Sequence, residues 1–349
     1  MIRLFLCLCI LLFSTGIFAQ QRSTTLISVP GNGGSSESHT VTIPTEDAPF
    51  LAISLRWDDS AHHYELRFSE DERSWSPWEL VIPDSHRAPD QSWRSALTYT
   101  DVTTRYVQIR QVTGSTSAKV ALHIFNPGPD QPTPFHLNNA AAGSSNCACP
   151  LPEVEERLDW CPAGTCPEIT NPVFTEVTHL IVHHSAGTNS SSNWAGVVRS
   201  IWDFHVNTNG WDDVGYNYLI DADGIIYVGR GNDVRGAHFC GNNTGTMGVC
   251  VLGNFQTVDP TAAARDALVE LLAWKACDKD LDPEGAGFHA SSGFSLDRIS
   301  PHRAGCATSC PGDLFAPTFP DLRTEVADFI LSCAPASIPN TTLFDASEW

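Results

Sequence analysis

The 349-residue sequence is 42% hydrophobic, enough for about two domains with ordinary cores, and this excludes a disordered or fibrous chain. With 40 Asp and Glu against 20 Lys and Arg, its formal net charge of −20 argues against a nucleic-acid partner, because phosphate binding needs clustered Lys and Arg.

The chain begins MIRLFLCLCILLFSTGIFAQ: one basic residue, Arg3, then an apolar run, then the small residue Ala19 before polar QQRS. That is the layout of a secretory signal over residues 1–19 and predicts an exported protein. Arg3, Ser14 and Thr15 interrupt the run, so it falls short of the roughly 20 apolar residues of a membrane anchor. No later segment is long and apolar enough to span a bilayer, and the mature chain is expected to be a soluble monomer. Of 12 cysteines, Cys7 and Cys9 lie in the signal; the others fall between Cys147 and Cys333, and residues 20–146 have none. In an oxidising compartment this asymmetry marks a domain boundary.

Residues 20–126 contain short β-type runs, TLISV, HTVTI, LAISLRW, HHYELRFS, WELVI, YVQIRQV and VALHIF, separated by Gly, Pro, Ser and Asp clusters. Strands of this spacing predict an antiparallel, all-β sandwich-like domain. Trp57, Trp75, Trp78 and Trp93 are read as core and edge packing rather than as a sugar-stacking face. Residues 127–166 read as a linker with a cysteine-rich end, Cys147, Cys149, Cys161 and Cys166.

From 167 to 335 the pattern becomes α/β. A strand THLIVHH precedes a helix from Trp194 to about Val206. Strands NYLI and IIYVG flank the turn DADG, and TMGVCVLG forms another. A helix capped by Asp259 and Pro260 runs to about Cys277, and a last helix starts near Asp321. Residues 336–349 form a C-terminal tail. The strand THLIVHH ends in His183 and His184, and SPHRAGCATSCPGDLF supplies His302 and, eight residues on, Cys310. Two imidazoles and a thiolate suffice to hold a catalytic zinc with a position open for water. Each residue also has a structural alternative: His183 as a satisfied strand-end histidine, Cys310 as half of a disulfide.

The ordered motifs VHHSAG, GWDDVGYNYLID, DGIIYVGRG, GAH, TMGVCVLGNF and PHRAGCATSCPG resemble the peptidoglycan recognition protein and type 2 N-acetylmuramoyl-L-alanine amidase family over residues 170–333. The resemblance implies a mixed β-sheet flanked by helices, Zn2+ held by His183, His302 and Cys310, and cleavage between N-acetylmuramic acid and the L-alanine of peptidoglycan stem peptides. It implies catalytic roles for Tyr216 and Thr308, and substrate contacts for His205, His238 and Asn243. Tyr216 and Thr308 can donate O–H groups to a developing oxyanion. No carboxylate adjoins these motifs as a general base. Two departures stand out: the usual GHRD is Pro301-His302-Arg303-Ala304, and Asn232 stands where a tryptophan follows GRG.

The paired cysteines that many animal members carry after the histidine strand are missing, so a bacterial envelope or secreted enzyme is expected. The alternative is a recognition protein that binds peptidoglycan without cutting it; retention of Cys310 favours the enzyme. With Cys310 kept for the metal, an odd number of mature cysteines remains, and the expected bridges are Cys240–Cys250 and Cys277–Cys306. Since successive strand residues face opposite sides, His184 is expected to point away from the metal.

Overall fold

The computed structural model describes residues 21–31, 49–58, 61–84, 92–100, 103–128, 148–162 and 164–333. The run HTVTI, the signal segment, the C-terminal tail and residues 129–147 of the linker lie outside these residues.

The N-terminal half carries β1 (Gln21–Val29), β2 (Ala52–Trp57), β3 (His63–Ser69), β4 (Glu79–Leu80), β5 (Trp93–Arg94), β6 (Thr98–Tyr99), β7 (Tyr106–Thr113) and β8 (Ala118–Asn126). They form two antiparallel sheets, β1-β8-β2-β5 with β6 also on β2, and β4-β3-β7. Alternate side chains turn inward, and Ile53, Leu55, Tyr64, Leu66, Ile109, Val120 and Leu122 share one core. The expected sandwich is present, with β5 and β6 as short strands that the sequence pattern does not announce. Trp57 belongs to the core, whereas Trp75 and Trp78 flank the Arg67 guanidinium at 5.2 and 4.5 Å. These contacts are packing, as expected.

The C-terminal half contains α1 (Arg157–Trp160), β9 (His179–His184), α2 (Trp194–Asp203), β10 (Tyr218–Ile220), β11 (Ile226–Val228), β12 (Thr246–Val251), α3 (Ala262–Asp278), β13 (Ala286–His289), β14 (Phe294–Asp297), β15 (Ile299–Pro301) and α4 (Phe319–Cys333). The main sheet runs β11-β10-β12-β9-β15, with β10, β12, β9 and β15 parallel and β11 antiparallel. Every residue of β9 is buried because it lies between two strands and under helices. Leu180 and Val182 face α3 and α4, packing with Leu268, Leu272, Phe319 and Leu322. On the other face α2 packs Val197, Val198 and Ile201 with Leu219 and Cys250. The helix expected to reach Val206 continues past Asp203 as a π-helical segment, Phe204–Thr208.

Three expectations change. The N-cap of α3 is Thr261, whose hydroxyl accepts from Ala264 N at 3.1 Å, rather than Asp259. The segment after Cys147, read as linker, packs on the α/β domain: Arg157 makes a buried two-pronged ion pair with Asp213 at 3.0 and 2.8 Å, and Cys149 bonds Cys333. The bridges are also different. Cys240 pairs with Cys306, Cys161 with Cys166, and Cys250 is a free buried thiol. Cys250 sits inside β12, while Cys240 lies on an exposed turn beside Cys306, with a Cα–Cα distance of 6.2 Å. Cys277 is also disulfide-bonded, but not to Cys306.

Two imidazoles, His123 of β8 and His179 of β9, couple this fold to pH. Burial, helped by Arg22, Arg56 and Arg94, lowers His123 to about 4, and burial likewise lowers His179 to about 4. Both stay neutral in the fold where the unfolded chain, with histidine near 6.5, already binds protons. Stability is therefore expected to hold above about pH 6.5 and to fall as pH drops toward about 4. In thermal denaturation across this window the His123→Gln, His179→Gln double variant should show a shallower pH slope; an unchanged slope would remove these groups as the cause.

Candidate metal centre and active-site cavity

The metal set is assembled by strand register. Parallel pairing aligns Pro301 with Val182, so His302, the next residue after β15, lies level with His183 at the end of β9. Their ring centroids are 4.3 Å apart. Because β15 is the sheet edge, Pro301 costs no ladder bond on its outer side, and this departure from the family pattern leaves His302 in place beside His183.

Cys310 arrives on the loop after His302. Arg303 ties this loop back: Cys310 O accepts from Arg303 N at 3.0 Å, Arg303 pairs with Asp313 at 2.9 Å, and the guanidinium also reaches Ser309 O. Beyond it, Gly312 has φ +113°, and a Cβ there would lie 2.3 Å from the Phe255 carbonyl oxygen. Only glycine permits that approach.

His183, His302 and Cys310 are 1%, 4% and 8% exposed, and their ligand atoms lie within 4.8 Å of one another. Cys310 Sγ is 3.8 Å from His183 Nδ1. Tetrahedral zinc with bonds of about 2.0–2.3 Å places its ligand atoms about 3.5 Å apart, so the set fits that ion with little movement. Cys240, His302 and Cys306 also cluster, but the two sulfurs are joined in a disulfide and offer no thiolate.

The surroundings support this reading. His183 Nε2 contacts His238 Nδ1 at 3.0 Å, and His238 Nε2 contacts Thr246 Oγ1 at 3.3 Å. Burial, with His302 and Arg230 nearby, lowers His238 to about 3, so it is neutral and able to accept from His183. That arrangement leaves His183 Nδ1 facing Cys310. The ring of His238 lies so close to β12 that a Cβ at Gly248 would come within 2.5 Å of it. Burial raises the Cys310 thiol to about 12, while the His184 N–H, donating to Sγ at 3.3 Å, and Arg303 act the other way. A bound cation would reverse that penalty. The His184 side chain points off the site as expected, its Nδ1 accepting from Phe255 N at 3.2 Å.

A cavity of about 310 Å³ opens over the metal set. Tyr216, Thr308, His205 and His238 all line it, and Asn243 does not. The Asn243 side chain instead accepts from His238 N and Phe239 N at 2.7 and 2.8 Å, fixing the GAH turn, and it borders a separate depression with Arg230 and Arg235. His238, at 2% exposure, forms the floor, with its ring nitrogens turned to protein partners. Burial above all, then the neighbouring Cys250, Cys310 and Asp84, raises Tyr216 well above its ordinary value. Thr308 Oγ1 accepts from Cys310 N at 3.2 Å, a bond that does not consume its O–H. His205 stacks on Trp211 at 4.6 Å and accepts from Gly215 N at 3.1 Å. Asn232 turns away from the cavity, toward the buried Lys275. Sequence reasoning missed Cys250 beside Tyr216 and Asp84 in the cavity wall; the first follows from its register opposite His183, the second from no local signal.

Comparison with known proteins agrees with this geometry. The family described as N-acetylmuramoyl-L-alanine amidase matches residues 173–313. Peptidoglycan-recognition protein SC2 of Drosophila simulans is 35% identical over 138 residues, covering 39% of this chain and 68% of that protein. Peptidoglycan-recognition protein SC1a of Drosophila melanogaster is 34% identical over 163 residues, covering 46% and 80%. A human N-acetylmuramoyl-L-alanine amidase is 30% identical over 169 residues, covering 46% of this chain and 27% of its own length. The chain belongs to this family of peptidoglycan-recognition proteins and N-acetylmuramoyl-L-alanine amidases.

Metal analysis of the purified chain should find about one zinc, lost in Cys310→Ala and retained in Cys250→Ala. His238→Ala keeps all three ligands but should weaken zinc binding about 10- to 100-fold, the usual cost of losing an outer partner. Full zinc in Cys310→Ala would contradict the assignment.

Proposed function

We propose that the protein is a zinc-dependent amidase that hydrolyses the bond between the lactyl group of N-acetylmuramic acid and the L-alanine of peptidoglycan stem peptides. The observation that carries this reading is the convergence of His183, His302 and Cys310 in one cavity with Tyr216 and Thr308. Zinc held by these three residues would supply Lewis-acid polarisation of the amide carbonyl and acidification of water.

The chain's own groups do the rest. Hydrolysis adds the water oxygen to the carbonyl carbon, breaks the C–N bond and delivers a proton to the departing alanine amine. As the carbon becomes tetrahedral, charge grows on the former carbonyl oxygen, which needs donors already in place. Tyr216, whose raised pKa keeps its proton on, supplies one. Thr308 supplies a second, its oxygen held by the Cys310 N–H. Ile201, Phe204 and Ala237 make much of the remaining lining apolar, which limits water and strengthens these bonds. His205 and Trp211 form a stacked flank for the sugar or peptide. Disulfides among the described residues support an exported protein working outside the cytosol.

Incubation of the zinc-loaded chain with muropeptides should release intact stem peptides with a free L-alanine amine, identified by mass spectrometry, and chelation should abolish release. Binding of the same muropeptides with no release would instead make the chain a recognition protein. Tyr216→Phe should retain zinc and lower kcat by about 10²–10³, the range for loss of one oxyanion donor; unchanged turnover would remove Tyr216 from the mechanism.

A further inference from the structure

Part of the wall of the cavity comes from the β domain. Ile82, Pro83, Asp84, Ala96, Leu97 and Tyr99 line the same cavity as His183, Tyr216 and Cys310. Two short segments form this lip: Asp84 N donates to Arg94 O and Ala96 N to Ile82 O, both at 2.8 Å, with Pro83 bridged to Ser95. The backbone pairing holds Asp84 and Leu97 at fixed positions on the cavity rim.

The lip is fastened to the α/β domain at the elements that shape the site. Arg22 pairs with the buried Asp203 of α2 at 2.7 Å. Tyr99, half-buried in this contact, accepts from Ser200 Oγ of α2 at 3.2 Å, and desolvation there raises its phenol above the ordinary value. Arg94 reaches Thr208 O and, at 3.2 Å, Asn209 Oδ1, just past the segment that carries His205. Leu51 of the β domain packs in one cluster with Trp160, Trp194 and Val197. A Cβ at Gly187, three residues after the histidine pair, would come within 2.6 Å of the Tyr99 ring. Contacts this dense, ionic, apolar and steric together, describe a rigid joint rather than a tether.

The chemistry of the lip suits a peptide. Ile82 is 59% exposed, a large apolar side chain left open at the mouth of the cavity. Asp84 is the sole carboxylate among the described residues that line the cavity, and no Lys or Arg lines it. A carboxylate is an acceptor, so the substrate group facing it must be a donor, an amide N–H or an ammonium.

We propose that the substrate site is shared between the two domains, with Asp84 accepting an N–H of the stem peptide next to the scissile amide while Ile82 and Leu97 cover the peptide's apolar flank. The proposal rests on the amidase reading for the identity of the ligand. It makes the β domain part of the cutting site instead of a separate wall-anchoring module, and it gives the chain a specificity element outside the family domain.

The test uses the full chain in two assays: binding of an N-acetylmuramoyl-L-alanyl peptide to the zinc-free protein by calorimetry, and steady-state cleavage by the zinc-loaded protein. Asp84→Asn preserves shape and removes the charge; it should weaken binding and raise KM about tenfold or more, with kcat, zinc content and melting temperature little changed, since a bond to a charged acceptor is the stronger kind. Asp84→Glu should recover part of the loss, and Ile82→Ser should raise KM by a smaller factor. Asp84→Asn and Ile82→Ser variants that both bind and cleave like the parent would overturn the proposal while leaving the amidase reading intact. Weakened binding in the variants of a parent that binds but does not cleave would uphold the shared site and sink the amidase reading.

Discussion

The whole site depends on one pairing, the three-residue parallel ladder between β15 and β9. His183 and His302 are 119 positions apart in the chain, and nothing local brings them together. The ladder sets Pro301 level with Val182, and the residue after each, His302 and His183, belongs to the candidate metal set. A slip of one residue would turn the side chains to the opposite face and separate the pair. The protein guards against that slip from both sides: Leu180 and Val182 are embedded among the residues of α3 and α4, while Ile181 packs with Phe239 and Leu296 on the other face.

Burial gives the pair its chemical character. His183, His302 and Cys310 are nearly inaccessible, and burial alone drives the Cys310 thiol toward its neutral form. A buried group of this kind is costly unless something compensates it, and a divalent cation is the compensation that two imidazoles and a sulfur are suited to hold. The next layer is arranged for the same end. His238 holds one nitrogen of His183, the His184 N–H points at the sulfur, and Arg303 fixes the loop that delivers it. The doubled histidine of β9 thus divides its work between the two faces of a strand, with the second residue helping through its backbone.

How much of this was legible beforehand depended on whether the signal was local. Strand and helix periodicity placed the α/β domain, and the family resemblance carried by motifs in fixed order singled out His183, His302, Cys310, Tyr216 and Thr308, all of which line one cavity in the fold. Disulfide pairing was not legible, because it depends on which turns meet in space; Cys240 meets Cys306 across the molecule, while Cys250 is locked within β12. Asn243 carried the right residue type for a substrate contact, yet its side chain is used to brace the turn that holds His238. Asp84 offered no signal at all, because its place in the cavity arises from the packing of one domain on another through Arg22, Arg94 and Tyr99. The short strands β5 and β6 escaped notice for a related reason: they are too brief for periodicity and exist only as partners of β2.

The claim beneath all of this is that two imidazoles and one thiolate from distant parts of the chain hold a single zinc ion. X-ray absorption at the zinc edge on the metal-loaded protein tests it most directly. The account predicts two imidazole nitrogens at about 2.0–2.1 Å and one sulfur at about 2.3 Å, with an oxygen or nitrogen scatterer completing four-fold coordination. A spectrum with no sulfur in the first shell, or with two, would contradict it.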